Sequence, residues 1–106
     1  MPIERLRNKI TKEVLWLYIL KLLKMKPRYA YELKREIQKN FGFNSATITS
    51  YIVLYKLELE RYVRSKMDSS NKGGPRRKYY YITKKGERLL SEGKRLLDEM
   101  MKKLFG

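Results

Sequence analysis

Residues 14–23, VLWLYILKLL, constrain the fold of this chain more than any other stretch. Val14, Leu15, Leu17, Tyr18, Ile19, Leu20, Leu22 and Leu23 leave the segment almost no polar side. Glu13 in front, and Lys24 and Lys26 behind, match the dipole of a helix that begins at Thr11, and Pro27 ends it. A helix that is apolar nearly all round is buried on more than one side. This one is too short to cross a bilayer, and Lys21 interrupts it. The rest of the chain must therefore enclose it. In 106 residues that means one domain, or one domain with an appendage, around a core small enough for a partner chain to help.

The enclosing elements can be placed in order. Residues 1–10 are polar and basic apart from Ile3, Leu6 and Ile10, and read as a frayed start of the first helix. A second helix is predicted from Ala30 to Asn40, with Tyr31, Leu33 and Ile37 inward and Lys34, Arg35 and Lys39 outward. Gly42 suits a left-handed helix end, and Asn44 or Ser45 offers an N-cap for a third helix from Ala46 to about Arg61. Tyr62 to Met67 alternates, with Val63, Ser65 and Met67 on one face. Arg77 to Thr83 is rich in tyrosine and favours a strand, Tyr80 and Ile82 inward, Tyr79 and Tyr81 outward. The intervening DSSNKGGP is turn chemistry, so the two strands form a hairpin. Thr83 caps a last helix from Lys84 onward. On it Leu90, Gly93, Leu97, Met100 and Leu104 follow coiled-coil spacing, with Leu89 and Leu96 in a second stripe.

Charge narrows the function. Twenty-six Lys and Arg against 11 Asp and Glu give +15, which points to a polyanionic partner, double-stranded DNA before an acidic membrane. The chain has no cysteine and no histidine, which removes disulfides, thiolate chemistry, most zinc sites and the ordinary neutral-pH general base. Acids such as Glu32 and Glu36 alternate with Lys34 and Arg35, the pattern of solvated ion pairs rather than catalysts. The expectation is a cytoplasmic protein that is not an enzyme and needs no cofactor.

Three helices followed by a hairpin make the layout of a winged helix-turn-helix, mostly α with a small two-stranded β-hairpin, to which a C-terminal dimerisation helix is added. The division is 1–83 for DNA binding and 84–106 for dimerisation. In that motif the third helix enters the major groove. Ser45, Thr47, Thr49 and Ser50 are short hydrogen-bonding side chains for base edges or phosphates, and Lys56 can meet a phosphate. Capping and helix-surface filling is the plainer reading of the serines and threonines. Two stripes compete for the core: Ile48, Tyr51, Ile52, Tyr55 and Leu59, or Ser50, Leu54 and Leu57. If Ile48 and Ile52 face outward they can touch thymine methyls. On the hairpin, Lys72, Arg76, Arg77 and Lys78 surround a glycine tip that can lie on the backbone or enter the minor groove.

The chain also resembles the PadR family of winged-helix transcriptional regulators over about residues 13–90. The residues that carry the resemblance are TSYIVLYKLE at 49–58, GGPRRKYYYITKKG at 73–86 and Tyr31-Glu32-Leu33. The resemblance implies a homodimer in which the C-terminal helix packs on the partner's N-terminal region, and an inverted-repeat operator, usually repressed. It implies Thr49 and Tyr51 at the DNA face, Arg76, Arg77 and Lys78 on the wing, and Leu54 and Leu57 in the core. Two positions depart from the family pattern. Its proline after the motif tyrosine is Ile52 here, and its glycine before the first strand is Arg61. Some short members bind flat aromatic effectors at the dimer interface. Trp16 and Met100-Met101 are the lining candidates, with ordinary packing as the plainer reading. A DNA-coating protein of little sequence preference is the alternative function that the charge allows.

Overall fold

The helix formed by the apolar run is central. It occupies Leu15–Met25 (α2), and Leu15, Ile19, Leu20, Leu22 and Leu23 are all buried. The computed structural model describes residues 1–68 and 77–106. Around α2 stand α1 (Pro2–Ile10), β1 (Arg28–Tyr29), α3 (Ala30–Phe41), α4 (Thr47–Leu59), β2 (Val63–Met67), β3 (Lys78–Ile82) and α5 (Lys84–Phe105). The core is completed by Leu33 and Ile37 of α3, Leu54 and Leu57 of α4, Val63 of β2 and Tyr80 of β3. Each such aliphatic side chain contributes roughly 1.5–3 kcal/mol on leaving water, which is what holds the helices against one another.

The N-terminal residues form a helix of their own rather than a frayed start of α2. The break falls at Thr11, whose hydroxyl donates to the Arg7 carbonyl at 2.6 Å, and a 3-10 turn at Lys12–Val14 leads into α2. Tyr18 ties the two helices by donating to the Ile10 carbonyl at 2.5 Å. No residue of α1 is buried, and Ile3, Leu6 and Ile10 make an exposed apolar stripe along it.

The sheet has three strands, not two, in the order β1-β3-β2 and antiparallel throughout. β1 consists of two residues that pair Arg28 with Tyr80 and Tyr29 with Tyr79. β3 is therefore central and has no free edge over those residues. Buried Arg28 donates through Nε to the Leu22 carbonyl at 3.3 Å and lies 3.5 Å from Glu36, so its charge is paired inside the domain. On the hairpin, Tyr80 faces the core as expected and Val63 joins it, while the Tyr79 ring meets Tyr29 edge-on at 5.5 Å.

Helix ends follow local chemistry. Gly42 takes a left-handed φ of 73° at the end of α3. The expected cap of the next helix is different: Ala46 occupies the N-cap, and neither Asn44 nor Ser45 caps it with a side chain. Thr83 does cap α5, its hydroxyl accepting from the Gly86 N–H at 3.1 Å. Gly86 is required there because a Cβ would stand 2.1 Å from the Tyr62 carbonyl oxygen. α5 then runs for 22 residues, about 33 Å at helical rise. Its first half lies on α2: Leu90 packs on the core, and a Cβ on Gly93 would come within 2.9 Å of Leu17. Its second half extends beyond the core, with Leu96, Leu97, Met100, Met101 and Leu104 exposed. No described helix is long and apolar enough to cross a membrane.

Candidate nucleic-acid interface

α4 shows which of its two apolar stripes is the core. Leu54 and Leu57 are buried with Ser50, while Ile48, Tyr51, Ile52, Tyr55 and Leu59 are exposed. The helix is thus apolar on both sides, and packing against α2 and α3 decides which side is inward. Thr47, Thr49 and Lys56 are exposed alongside the outward stripe.

Two expected contact residues lie elsewhere. Ser45 and Ser50 are 5% and 6% exposed, and their hydroxyls are 2.8 Å apart. Each hydroxyl satisfies the other in a place where an unpaired one would cost about 1–3 kcal/mol. They tie the turn before α4 to its first turn and do not present hydroxyls to the outward face.

α3 supplies residues that were not expected at this face. Tyr31, predicted inward, is 64% exposed. Lys34 donates to the Thr47 hydroxyl at 2.6 Å, which places a cation at the first turn of α4. Tyr31 and Lys34 line a groove with Thr47, Ser50 and Tyr51, and the Arg35 guanidinium lies 5.8 Å from the Tyr31 ring centre. The signal for Tyr31 was its position beside Lys34 and Arg35 in a helix whose inward side Leu33 and Ile37 already fill.

The wing adjoins this face through β1. Arg77 donates to the Tyr29 hydroxyl at 3.1 Å, with its guanidinium 4.7 Å from the Tyr29 ring centre. Tyr29 is the N-cap of α3, so Arg77 is held at the N-terminal end of that helix. Lys78 pairs with Glu58 of α4 at 3.6 Å, and Glu58 also accepts from Ser65. That pair joins the base of the wing to the C-terminal half of α4. The pairing leaves both cations solvent-exposed. Lys72, Arg76 and the glycine tip lie outside the described residues.

The proposed dimer positions divide. Leu97, Met100 and Leu104 lie on the exposed distal half of α5. Leu90 and Gly93 are used within the chain, against the core and against Leu17. Trp16 borders a groove of about 410 Å³ with Leu89, Gly93 and Leu96, and Met100 and Met101 lie outside that lining.

Comparison with known proteins agrees with this architecture. A transcriptional regulator from Streptococcus is similar at 33% identity and TM-score 0.75, covering 88% of this chain and 90% of its own. A PadR family transcriptional regulator from Eggerthella lenta is 27% identical with TM-score 0.79, over 97% of this chain and 92% of its own. Bacillus subtilis PadR in complex with operator DNA shares the fold at 22% identity and TM-score 0.67, over 74% of this chain and 44% of its own. The model of the transcriptional regulator PadR-like family matches residues 19–92, from Ile19 within α2 through the helix-turn-helix and the hairpin to the first part of α5. With the family's motifs standing in these elements, the chain belongs to the PadR-like family of transcriptional regulators.

Proposed function

We propose that the protein is a homodimeric, sequence-specific DNA-binding regulator that acts as a repressor at an inverted-repeat operator. The observation that carries this reading is the placement of α4. Among the described residues Ile48, Thr49, Tyr51, Ile52 and Tyr55 of its outward side are exposed, Lys34 of α3 stands at Thr47, and Lys78 of the wing pairs with Glu58 near its end. Thr47, Thr49 and Tyr51 then face the major groove, and Lys34, Lys56, Arg77 and Lys78, with Lys72 and Arg76 of the wing, meet phosphates. Ser45 and Ser50 shape the start of the helix. Bacillus subtilis PadR, which shares the fold, is solved with operator DNA and supports the same direction.

Dimerisation supplies the second half of the reading. Two apolar stripes are exposed among the described residues: Ile3, Leu6 and Ile10 on α1, and Leu97, Met100 and Leu104 on α5. Packing α5 of one copy against α1 of the other covers both and adds to a small core. Residues 84–106 then act as the dimerisation helix and residues 1–83 as the reader. A two-fold dimer places its α4 helices about 34 Å apart, one turn of duplex. A repressor works in this geometry by occupying DNA that the transcription machinery needs.

Selection of binding sites from random duplex tests the proposal. The expected result is an enriched two-fold-symmetric site with half-site centres about 10 base pairs apart. Retention of all sequences alike would support a DNA-coating protein instead.

A further inference from the structure

The outward side of α4 carries little hydrogen-bonding capacity. Ile48 is 75% exposed and Ile52 is 48% exposed, and Leu59 continues the same strip. The first two turns, TITSYIV, contain no Arg, Lys, Asn or Gln, and Lys56 is the only cation of the helix. The side chains that read guanine and adenine through paired hydrogen bonds are therefore missing from the part of the helix nearest the bases. Ile48 and Ile52 could have been core residues, but Ser50, Leu54 and Leu57 hold that side.

Charge identifies what covers the strip. Lys34 stands at Thr47, Arg77 and Lys78 stand at the wing, and the chain carries +15. A polyanion complements such a border. The apolar feature that DNA offers in its major groove is the C5-methyl of thymine. Four residues of helix rise about 6 Å, close to two base steps of about 3.4 Å each. Ile48 and Ile52 are thus spaced to meet methyl groups one to two base pairs apart.

We infer that Ile48 and Ile52 recognise thymine methyl groups, so that each half-site carries thymine where these side chains stand. The inference rests on α4 lying in the major groove. It makes the specificity of this chain depend more on thymine placement than on paired hydrogen bonds to purines.

The test is a deoxyuridine scan of the selected site. Each thymine is replaced in turn by deoxyuridine, which keeps every donor and acceptor and removes only the methyl. Wild-type protein should bind about four-fold more weakly at one or two positions per half-site, the factor for one buried methyl-sized group. A symmetric pair of replacements should cost about fifteen-fold. Ile48→Ala and Ile52→Ala should each become indifferent to uridine at one of those positions while keeping the wild-type salt dependence. A strongly preferred site that tolerates every uridine would overturn the inference and leave the regulator reading in place. Failure to select any site would overturn both. The scan itself uses unaltered protein, so it decides the question even if a variant fails to fold.

Discussion

Replacing Arg61 with glycine should stabilise the protein, although it removes a side chain and adds none. α4 ends in two backbone bonds: the Tyr62 N–H to the Leu57 carbonyl at 2.9 Å, and the Arg61 N–H to the Glu58 carbonyl at 3.0 Å. That pair defines a Schellman end with Arg61 at the left-handed position, and its φ of 65° agrees. A Cβ in this conformation crowds the carbonyl and costs about 1–2 kcal/mol. Glycine removes that cost but gives the unfolded chain about 0.5–1 kcal/mol more entropy to lose. The net gain is about 0.5–1 kcal/mol, or a Tm rise of about 3–6 °C for a domain of this size. Thr83 helps to keep the turn in place in either variant, because its hydroxyl lies 2.8 Å from the Arg61 carbonyl and 3.0 Å from that of Tyr62. Arg61→Ala keeps the Cβ and should stay within about 0.5 kcal/mol of wild type. Thermal unfolding at one fixed protein concentration checks this, since a dimer's Tm moves with concentration. A lower Tm for Arg61→Gly, or equal gains for the alanine and glycine variants, would refute the reasoning.

Other expected outcomes concern the elements that carry the interface. Gly86→Ala places a methyl 2.1 Å from the Tyr62 carbonyl oxygen and 2.7 Å from the Ile82 side chain. It should destabilise by about 2–3 kcal/mol, seen as a lower urea midpoint with an unchanged slope. Leu97→Asp, on the exposed half of α5, should give monomers in sedimentation experiments and weaken DNA binding; an intact dimer would remove α5 from the proposed interface. Burial raises the Tyr18 phenol above its ordinary range near 10. Its contribution to stability is therefore complete below that range and is lost as pH rises through the folded value, because the unfolded chain ionises first. Tyr18→Phe should flatten the decline of stability that sets in as pH rises through the ordinary phenol range near 10, measured by urea unfolding against wild type.

Local chemistry was the legible part of this sequence. Gly42 ends α3 in a left-handed turn, Thr83 caps α5, and the two hairpin strands pair antiparallel, because each rests on residues close together in the chain. β1 was not legible: two residues show no alternation, and their partners stand some fifty positions later at Tyr79 and Tyr80. α4 could not be oriented from its pattern because both of its sides are apolar, and the family resemblance, rather than periodicity, favoured the Leu54–Leu57 side. Ser45 and Ser50 read as exposed polar residues because nothing local shows that two hydroxyls will satisfy each other inside. Lys34 was missed beside α4 for a similar reason, since its partner Thr47 lies across a turn. α1 was hidden by its composition, a basic segment whose three apolar residues line up only once it is helical.

The central claim is that this helix reads sequence rather than merely adhering to DNA. The most direct measurement is the ratio of affinities for the selected duplex and for a scrambled duplex of the same length and composition, at about 150 mM salt. A sequence-specific regulator predicts a preference of about 10³-fold or more. Equal affinities that fall together as salt rises would contradict the claim and leave only the attraction of a +15 chain for phosphate.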